Sequence, residues 1–117
     1  MTTDEAAKYL CDADTAAERI ARFTAGRTFD DYLADDMLRA AVERQFEIIG
    51  EAFTGLRRVD PELAQSISDL PRIIAFRNVL IHAYATVDDR LVWDVVEQEL
   101  PILRNTIAKL RGLEPDP

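Results

Sequence analysis

Apolar residues recur along the first half of the chain at the three- and four-residue spacing of amphipathic helices. This pattern predicts a helix over residues 3–25, opened by a capping box at Thr2 and Glu5 and stopped by Gly26. A short turn over residues 28–34 follows. A second long helix is predicted over residues 35–56, and its buried stripe comprises Leu38, Val42, Phe46, Ile49, Phe53 and Leu56.

The second half of the chain continues in helices. A short helix over residues 60–68 begins with the favourable N-terminal pair Asp-Pro. The next helix is predicted over residues 71–84. Asp88 or Asp89 caps a last helix, which Pro101 is expected to kink or split because proline cannot donate the helical hydrogen bond. The buried stripe of this last helix comprises Val92, Val96, Leu100, Leu103, Ile107 and Leu110.

These segments define the predicted fold class. The alternating Val/Ile/Thr-rich runs that are typical of strands are missing. Short loops favour antiparallel neighbours, so we expect an all-α, up-down helical bundle of four to six helices. A chain of 117 residues, 48% of them hydrophobic, builds one modest core but not two. We therefore expect one domain over residues 1–113 and a frayed tail over residues 114–117.

Composition points to a cytoplasmic protein. The first residues lack the basic start and apolar run of a signal peptide, and no apolar stretch approaches the roughly 20 residues of a membrane span. The only cysteine, Cys11, cannot form an intramolecular disulfide, which fits a reducing compartment. Cys11 lies in an alanine-rich helical pattern, and packing is favoured over chemistry there.

The charge distribution has one local exception. A net charge of -8 argues against a general nucleic-acid coat protein, which would show a basic surface. Residues 70–87, however, contain none of the chain's 22 acidic residues, and they hold Arg72, Arg77 and the only histidine, His82. Any contact with phosphate is therefore expected to be local to this window.

Helical geometry places the polar residues of this window. Since a helix advances about 100° per residue, setting Arg77 at zero puts Tyr84 near -20°, Asn78 near 100° and His82 near 140°. Arg77 and Tyr84 then share one face, and Asn78 and His82 form a neighbouring pair. Ile73, Phe76, Val79, Leu80 and Ala83 are assigned to the core. Ile74, Ile81 and Ala85 fall within the polar arc, which indicates a second contact surface and hence a subunit interface.

These side chains suit RNA strand cleavage without a metal. In that reaction the 2'-hydroxyl attacks its own phosphodiester, which requires a base, an acid and positive charge at the phosphate. His82 suits acid or base work, Arg77 suits the phosphate, and Asn78 suits holding either the imidazole or the phosphate. One histidine cannot serve as both acid and base, but a two-fold dimer supplies two.

Structural interpretations of the same residues stay open at this point. A single histidine near a helix end is more often a surface or hydrogen-bonded residue, and a half-exposed arginine is more often solvated or salt-bridged. No metal site is expected, because no second histidine or cysteine lies at ligand spacing, and Asp88 and Asp89 suit a helix cap better.

The motif formed by Arg77, four residues, His82, one residue and Tyr84 resembles the signature of the HepT-like toxins of the HEPN superfamily. The likeness extends upstream to Glu43–Ala52 and downstream to Val87–Trp93 and Glu99–Pro101. Where many relatives have glycine after the histidine, this chain has Ala83.

The resemblance implies a helical homodimer with its motif helices facing each other. It implies a metal-independent endoribonuclease, with Arg77 and His82 catalytic and Asn78 in support. It also implies the toxin of a HepT–MntA toxin–antitoxin pair, whose partner is a minimal nucleotidyltransferase that transfers AMP to the motif tyrosine, here Tyr84. A phosphate beside Arg77 would occupy the place of the RNA phosphate and repel RNA. The alternative is a non-catalytic helical module that only docks a nucleotidyltransferase.

Three residues outside the motif have competing interpretations. Gly50 lies inside a helix, where glycine costs about 1 kcal/mol against alanine, so close helix packing is favoured over a ligand. Glu51 is expected on a solvated face; the minority hypothesis is that it orients Arg77 within the dimer. Trp93 is expected in the core or an interface rather than as a platform for stacked bases.

Overall fold

A computed structural model of the chain describes residues 3–82 and 87–112, and every regular element within them is a helix, as predicted. The elements are α1 (Asp4–Thr24), α2 (Phe29–Ala34), α3 (Asp36–Val59), α4 (Pro61–Gln65), α5 (Leu70–His82), α6 (Asp89–Asp94), a π-helical turn (Val95–Glu99) and α7 (Leu100–Leu110). The predicted tail over residues 114–117 lies outside the described residues.

Local chemistry sets the ends of the first two helices. Thr3 caps α1, and its hydroxyl accepts from the Ala6 amide at 3.1 Å, so the prediction of Thr2 as the cap was wrong by one residue. Gly26 takes a φ of 72°, which ends the helix at the predicted place. A capping box between Thr28 and Asp31 opens α2, where the sequence predicted a turn.

The later boundaries also follow from caps and prolines. The Asp60 carboxylate accepts from the Leu63 amide at 3.1 Å, and Pro61 takes the first position of α4, as predicted. Asp88 caps α6 by accepting from the Leu91 amide at 3.2 Å. The last predicted helix is split: the π-helical turn precedes Pro101, which stands in the first turn of α7. The split follows from the missing amide hydrogen of proline.

The core lies around α1 and α3, the most extensively packed pair of helices. α5 packs on α3, α7 packs on α1, and α2 packs on α3 and α6. All six residues of the predicted α3 stripe are buried, which confirms the helical periodicity there. Along the last predicted helix, Val92, Val96, Leu100 and Ile107 are buried, whereas Leu103 and Leu110 are half-buried.

α5 is rotated about its axis relative to the prediction. Only Leu70 and Leu80 are buried on this helix, and Ile73 and Phe76 are half-buried. Val79 is 52% exposed, so its assignment to the core was wrong. The rotation arises because the side of α5 that carries Arg77 packs against α3. Ala83, also assigned to the core, lies outside the described residues.

Candidate catalytic site on α5

The contact between α3 and α5 is closest where Gly50 meets Arg77. A Cβ atom placed on Gly50 would overlap Cβ and Cγ of Arg77 and lie 3.3 Å from its Cδ. Glycine is therefore required here for α5 to lie at its observed distance from α3. This confirms the packing interpretation of Gly50, and it shows that the packed partner is a candidate catalytic residue, which the sequence did not indicate.

Asn78 is the hydrogen-bond partner of the Arg77 guanidinium. Arg77 is half-buried, and its Nη1 donates to Oδ1 of Asn78 at 3.0 Å. The Nε–H group is buried and has no acceptor among the described residues. A neutral amide, rather than a carboxylate, therefore receives the hydrogen bond, and the positive charge of Arg77 is not compensated by it.

His82 is the last residue of α5, and its side chain is exposed. Asn78 lies one helical turn earlier and is also exposed. Because α5 is regular up to His82, the two residues lie on one side of the helix, four positions apart. Tyr84 lies outside the described residues, so its predicted position on the face of Arg77 stays a prediction.

Glu51 follows Gly50 in α3 and is exposed. In the single chain its Oε1 lies 3.5 Å from Nη1 of Arg44, which also lies 3.7 Å from Oε2 of Glu47. Within residues 3–82 and 87–112, no ion pair joins Glu51 to Arg77. The predicted role of Glu51 concerns the dimer and stays a prediction.

The solvent-facing side of α5 carries small apolar residues that the sequence analysis missed. Pro71, Ala75 and Val79 recur every four residues and are all exposed, beside the exposed Asn78 and His82. Of the three residues expected there, Ile74 and Ile81 are half-buried instead, and Ala85 lies outside the described residues. The four-residue repeat was present in the sequence as a signal, but the rotation of α5 was needed to place it on the surface.

An apolar groove runs beside this face, between α5 and the segment from α6 to α7. Its volume is about 390 Å³, and its walls include Phe76, Leu91 and Ile102. Arg72 lies in its lining, with Nη2 3.9 Å from Oε1 of Glu99 and Nη1 4.0 Å from Oδ1 of Asp69. Leu91 and Ile102 are 46% and 56% exposed, so the groove extends the apolar surface of the exposed α5 face.

A separate polar cluster lies between α2, α3 and α6. Burial, followed by the charges of Asp89 and Glu47, raises the pKa of Glu43 above its ordinary value of 4.5. Burial also raises the pKa of Tyr32, whose ring centroid lies 5.2 Å from that of Trp93. Trp93 is 4% exposed, which confirms its predicted place in the core and leaves no free ring face for a base.

The described residues contain neither a membrane-spanning helix nor a metal-binding cluster. Over residues 3–82 and 87–112, no helix combines the length and hydrophobicity needed to cross a membrane. In the same part of the chain, His, Cys, Asp and Glu side chains nowhere come together in a group of three suited to a metal ion.

The chain is similar to proteins named as ribonucleases. A protein of Thermococcus cleftensis named as a probable ribonuclease HepT is 37% identical over 107 residues, 88% of this chain and 93% of the relative. A candidate RNase of Methanocaldococcus jannaschii is 28% identical over 92% of this chain and 97% of its own length. A candidate RNase of Caldanaerobacter subterraneus is 33% identical over 73% of this chain and 75% of its own length. No solved structure matches the chain significantly.

The family model described as ribonuclease HepT-like matches residues 13–110, from the middle of α1 to the end of α7. The match thus includes α3, α5 and the contact between Gly50 and Arg77. The chain therefore belongs to the HepT-like ribonuclease family.

Proposed function

We propose that the chain is a metal-independent endoribonuclease and the toxin of a HepT–MntA toxin–antitoxin pair. The observation that carries the proposal is the Arg77 guanidinium, held by Asn78 at 3.0 Å on the helix that ends at His82. Family membership supports RNA as the substrate. The proposed place of action is the cytoplasm, where the single cysteine fits a reducing compartment.

The proposed reaction is an attack of the 2'-hydroxyl of RNA on the adjacent phosphorus. An imidazole takes the hydroxyl proton, the bond from phosphorus to the 5'-oxygen breaks, and an acid returns a proton to that oxygen. The products are a 2',3'-cyclic phosphate and a free 5'-hydroxyl. Arg77 stabilises the additional negative charge that develops on the phosphate oxygens, and Asn78 keeps the guanidinium oriented.

A two-fold dimer completes this site in the proposal. Each chain has one histidine, whereas the reaction needs a base and an acid. The exposed repeat of Pro71, Ala75 and Val79 supports helix-to-helix contact, since small side chains along one ridge let two helices approach closely. An isologous contact through α5 would bring His82 and Arg77 of both copies into one groove.

The proposed regulator is a minimal nucleotidyltransferase of the MntA type, which transfers AMP from ATP to Tyr84. In the sequence, Tyr84 is the second residue after His82 and the seventh after Arg77. A phosphodiester on Tyr84 would offer its negative charge to Arg77 and exclude the RNA phosphate by repulsion and by occupancy. Mass spectrometry after incubation of the pair with ATP tests this assignment. No gain of one AMP mass, or a gain that persists in Tyr84→Phe, would refute it.

Cleavage of defined RNAs by purified protein tests the enzyme assignment. We expect the wild type to cleave RNA in the presence of EDTA, and Arg77→Ala and His82→Ala each to lose activity while remaining folded. Arg104→Ala, which removes an exposed arginine from α7, is the matched control and should retain activity. If EDTA abolishes cleavage, or if both site variants remain active, the proposed mechanism is wrong. A wild type that binds the nucleotidyltransferase but never cuts RNA would favour the non-catalytic alternative.

A further inference from the structure

Two glycines of α3 lie under side chains of neighbouring helices. Gly50 faces Arg77 of α5, and Gly55 faces Tyr9 of α1. A Cβ at Gly50 would overlap Cβ and Cγ of Arg77, and the position of that Cβ is fixed by the backbone of α5, so no change of rotamer removes the overlap. A Cβ at Gly55 would overlap Cε1 and Cζ of Tyr9, which belong to the far end of a side chain that can rotate away.

The two contacts therefore differ in what must move when a methyl group is added. At position 55 the Tyr9 ring can turn aside while α1 stays in place. At position 50 the overlap is removed only if α5 itself shifts away from α3. Such a shift carries Arg77 with it and moves the guanidinium that donates to Asn78.

The contact with the backbone of α3 also restricts the side-chain rotamers that Arg77 can adopt. The side chain is half-buried, and its Nε atom is fully covered. Few rotamers of a long side chain are compatible with such a contact. The contact with Gly50 thus sets both the distance of α5 from α3 and the direction of the guanidinium.

We propose that Gly50 is a positioning residue of the ribonuclease site, an inference that rests on the proposed function. It touches no substrate; it lets α3 hold the stem of Arg77, so that the guanidinium meets the phosphate as charge develops. Since small displacements of a catalytic group can reduce rates by up to about a hundredfold, the effect belongs in kcat rather than in RNA binding.

Steady-state cleavage by Gly50→Ala and Gly55→Ala, at a temperature where circular dichroism shows both to be folded, tests the positioning. For Gly50→Ala we expect kcat to fall by at least about tenfold and KM to change by less than about threefold. For Gly55→Ala we expect both values to stay near wild type. The inference is overturned if the two variants lose activity equally, or if the loss in Gly50→Ala matches its unfolded fraction.

A double-mutant cycle tests the contact without reference to catalysis. Gly50→Ala should lower the thermal unfolding midpoint in the wild-type background. In an Arg77→Gly background it should raise the midpoint, because the overlapping Cβ and Cγ are gone and alanine favours a helix over glycine. Equal shifts in the two backgrounds would overturn the inference.

The double-mutant cycle distinguishes a failure of the proposed ribonuclease function from a failure of the inference about Gly50. If the wild type does not cut RNA, the proposed function fails, yet the cycle still reports whether Gly50 and Arg77 are coupled. If Gly50→Ala alone does not fold, the double variant still reports on the contact: it should fold, and its failure to do so would count against the inference.

Discussion

Val79 offers the sharpest test of the proposed dimer. It lies on the solvent-facing side of α5, is 52% exposed in the single chain and is the last member of the apolar repeat with Pro71 and Ala75. If α5 meets its copy across a two-fold axis, Val79 of both chains is buried in the same interface. Val79→Asp should then break the dimer while leaving each chain folded.

The magnitude follows from the exposed half of the side chain. Complete burial of valine contributes about 1.5–3 kcal/mol, so burial of the remaining half contributes about 1 kcal/mol per copy. Two copies give about 2 kcal/mol per dimer, which raises the dissociation constant about 30-fold when the valines are lost. This value is a lower bound for Val79→Asp, since two carboxylates must also lose water near the axis.

Sedimentation equilibrium over a range of protein concentrations measures the dissociation constant, and urea unfolding measures the stability of the chain. Leu33→Asp is the matched control, because Leu33 is 44% exposed on α2, away from the α5 face. We expect Val79→Asp alone to dissociate, and its RNA cleavage to fall as the fraction of dimer falls. The reasoning is refuted if Val79→Asp remains as dimeric as wild type, or if Leu33→Asp dissociates to the same extent.

Three other substitutions test the physics of the fold by urea unfolding. Ile107→Ala should lower the free energy of unfolding by about 2–5 kcal/mol because Ile107 is fully buried; a loss below about 1 kcal/mol would contradict this. Thr28→Ala should cost about 1 kcal/mol because it removes the acceptor for the Asp31 amide, whereas a change near zero would show that the cap does not matter. Glu43→Gln should stabilise the protein at neutral pH, since the pKa of Glu43 is raised above 4.5 in the fold. The folded protein binds this proton more tightly than the unfolded chain, so the wild type loses stability as the pH rises through that pKa and the variant does not. Parallel stability curves of the two proteins from about pH 4 to pH 7 would reject this.

The helical architecture was predictable because local signals and the long-range pattern agree. The α3 stripe repeats at helical spacing, and its members are all buried. Side-chain caps, such as Asp60 before Pro61, act within a few residues, so their effect is readable from the sequence. The error at Thr2 has the same origin, because Thr3 competes for the same role and only the actual backbone decides between them.

The orientation of α5 was not predictable in the same way. This helix has apolar residues around most of its circumference, so periodicity alone does not distinguish the core side from the exposed side. The contact that sets the orientation of α5 joins Arg77 to Gly50, 27 positions earlier in the chain, where the aliphatic stem of Arg77 packs against the glycine. Arg77 therefore lies against α3, and Val79, which the helical pattern assigned to the core, is exposed.

The partner of the Arg77 guanidinium differs from the partners of other arginines in the chain. In a chain of net charge -8, arginines such as Arg72 and Arg111 lie beside carboxylates, and Nη1 of Arg111 is 2.7 Å from Oδ2 of Asp14. Among the described residues, Arg77 is held by the Asn78 amide instead, so in the proposed site its charge is available to an anion in a protein that repels anions at long range. In the proposed function, such a site gains little from electrostatic steering and depends on short-range hydrogen bonds, whose geometry must be right before RNA arrives. The proposed ribonuclease therefore needs a well-positioned Arg77, and the glycine at position 50 lets α3 pack against the stem of this side chain.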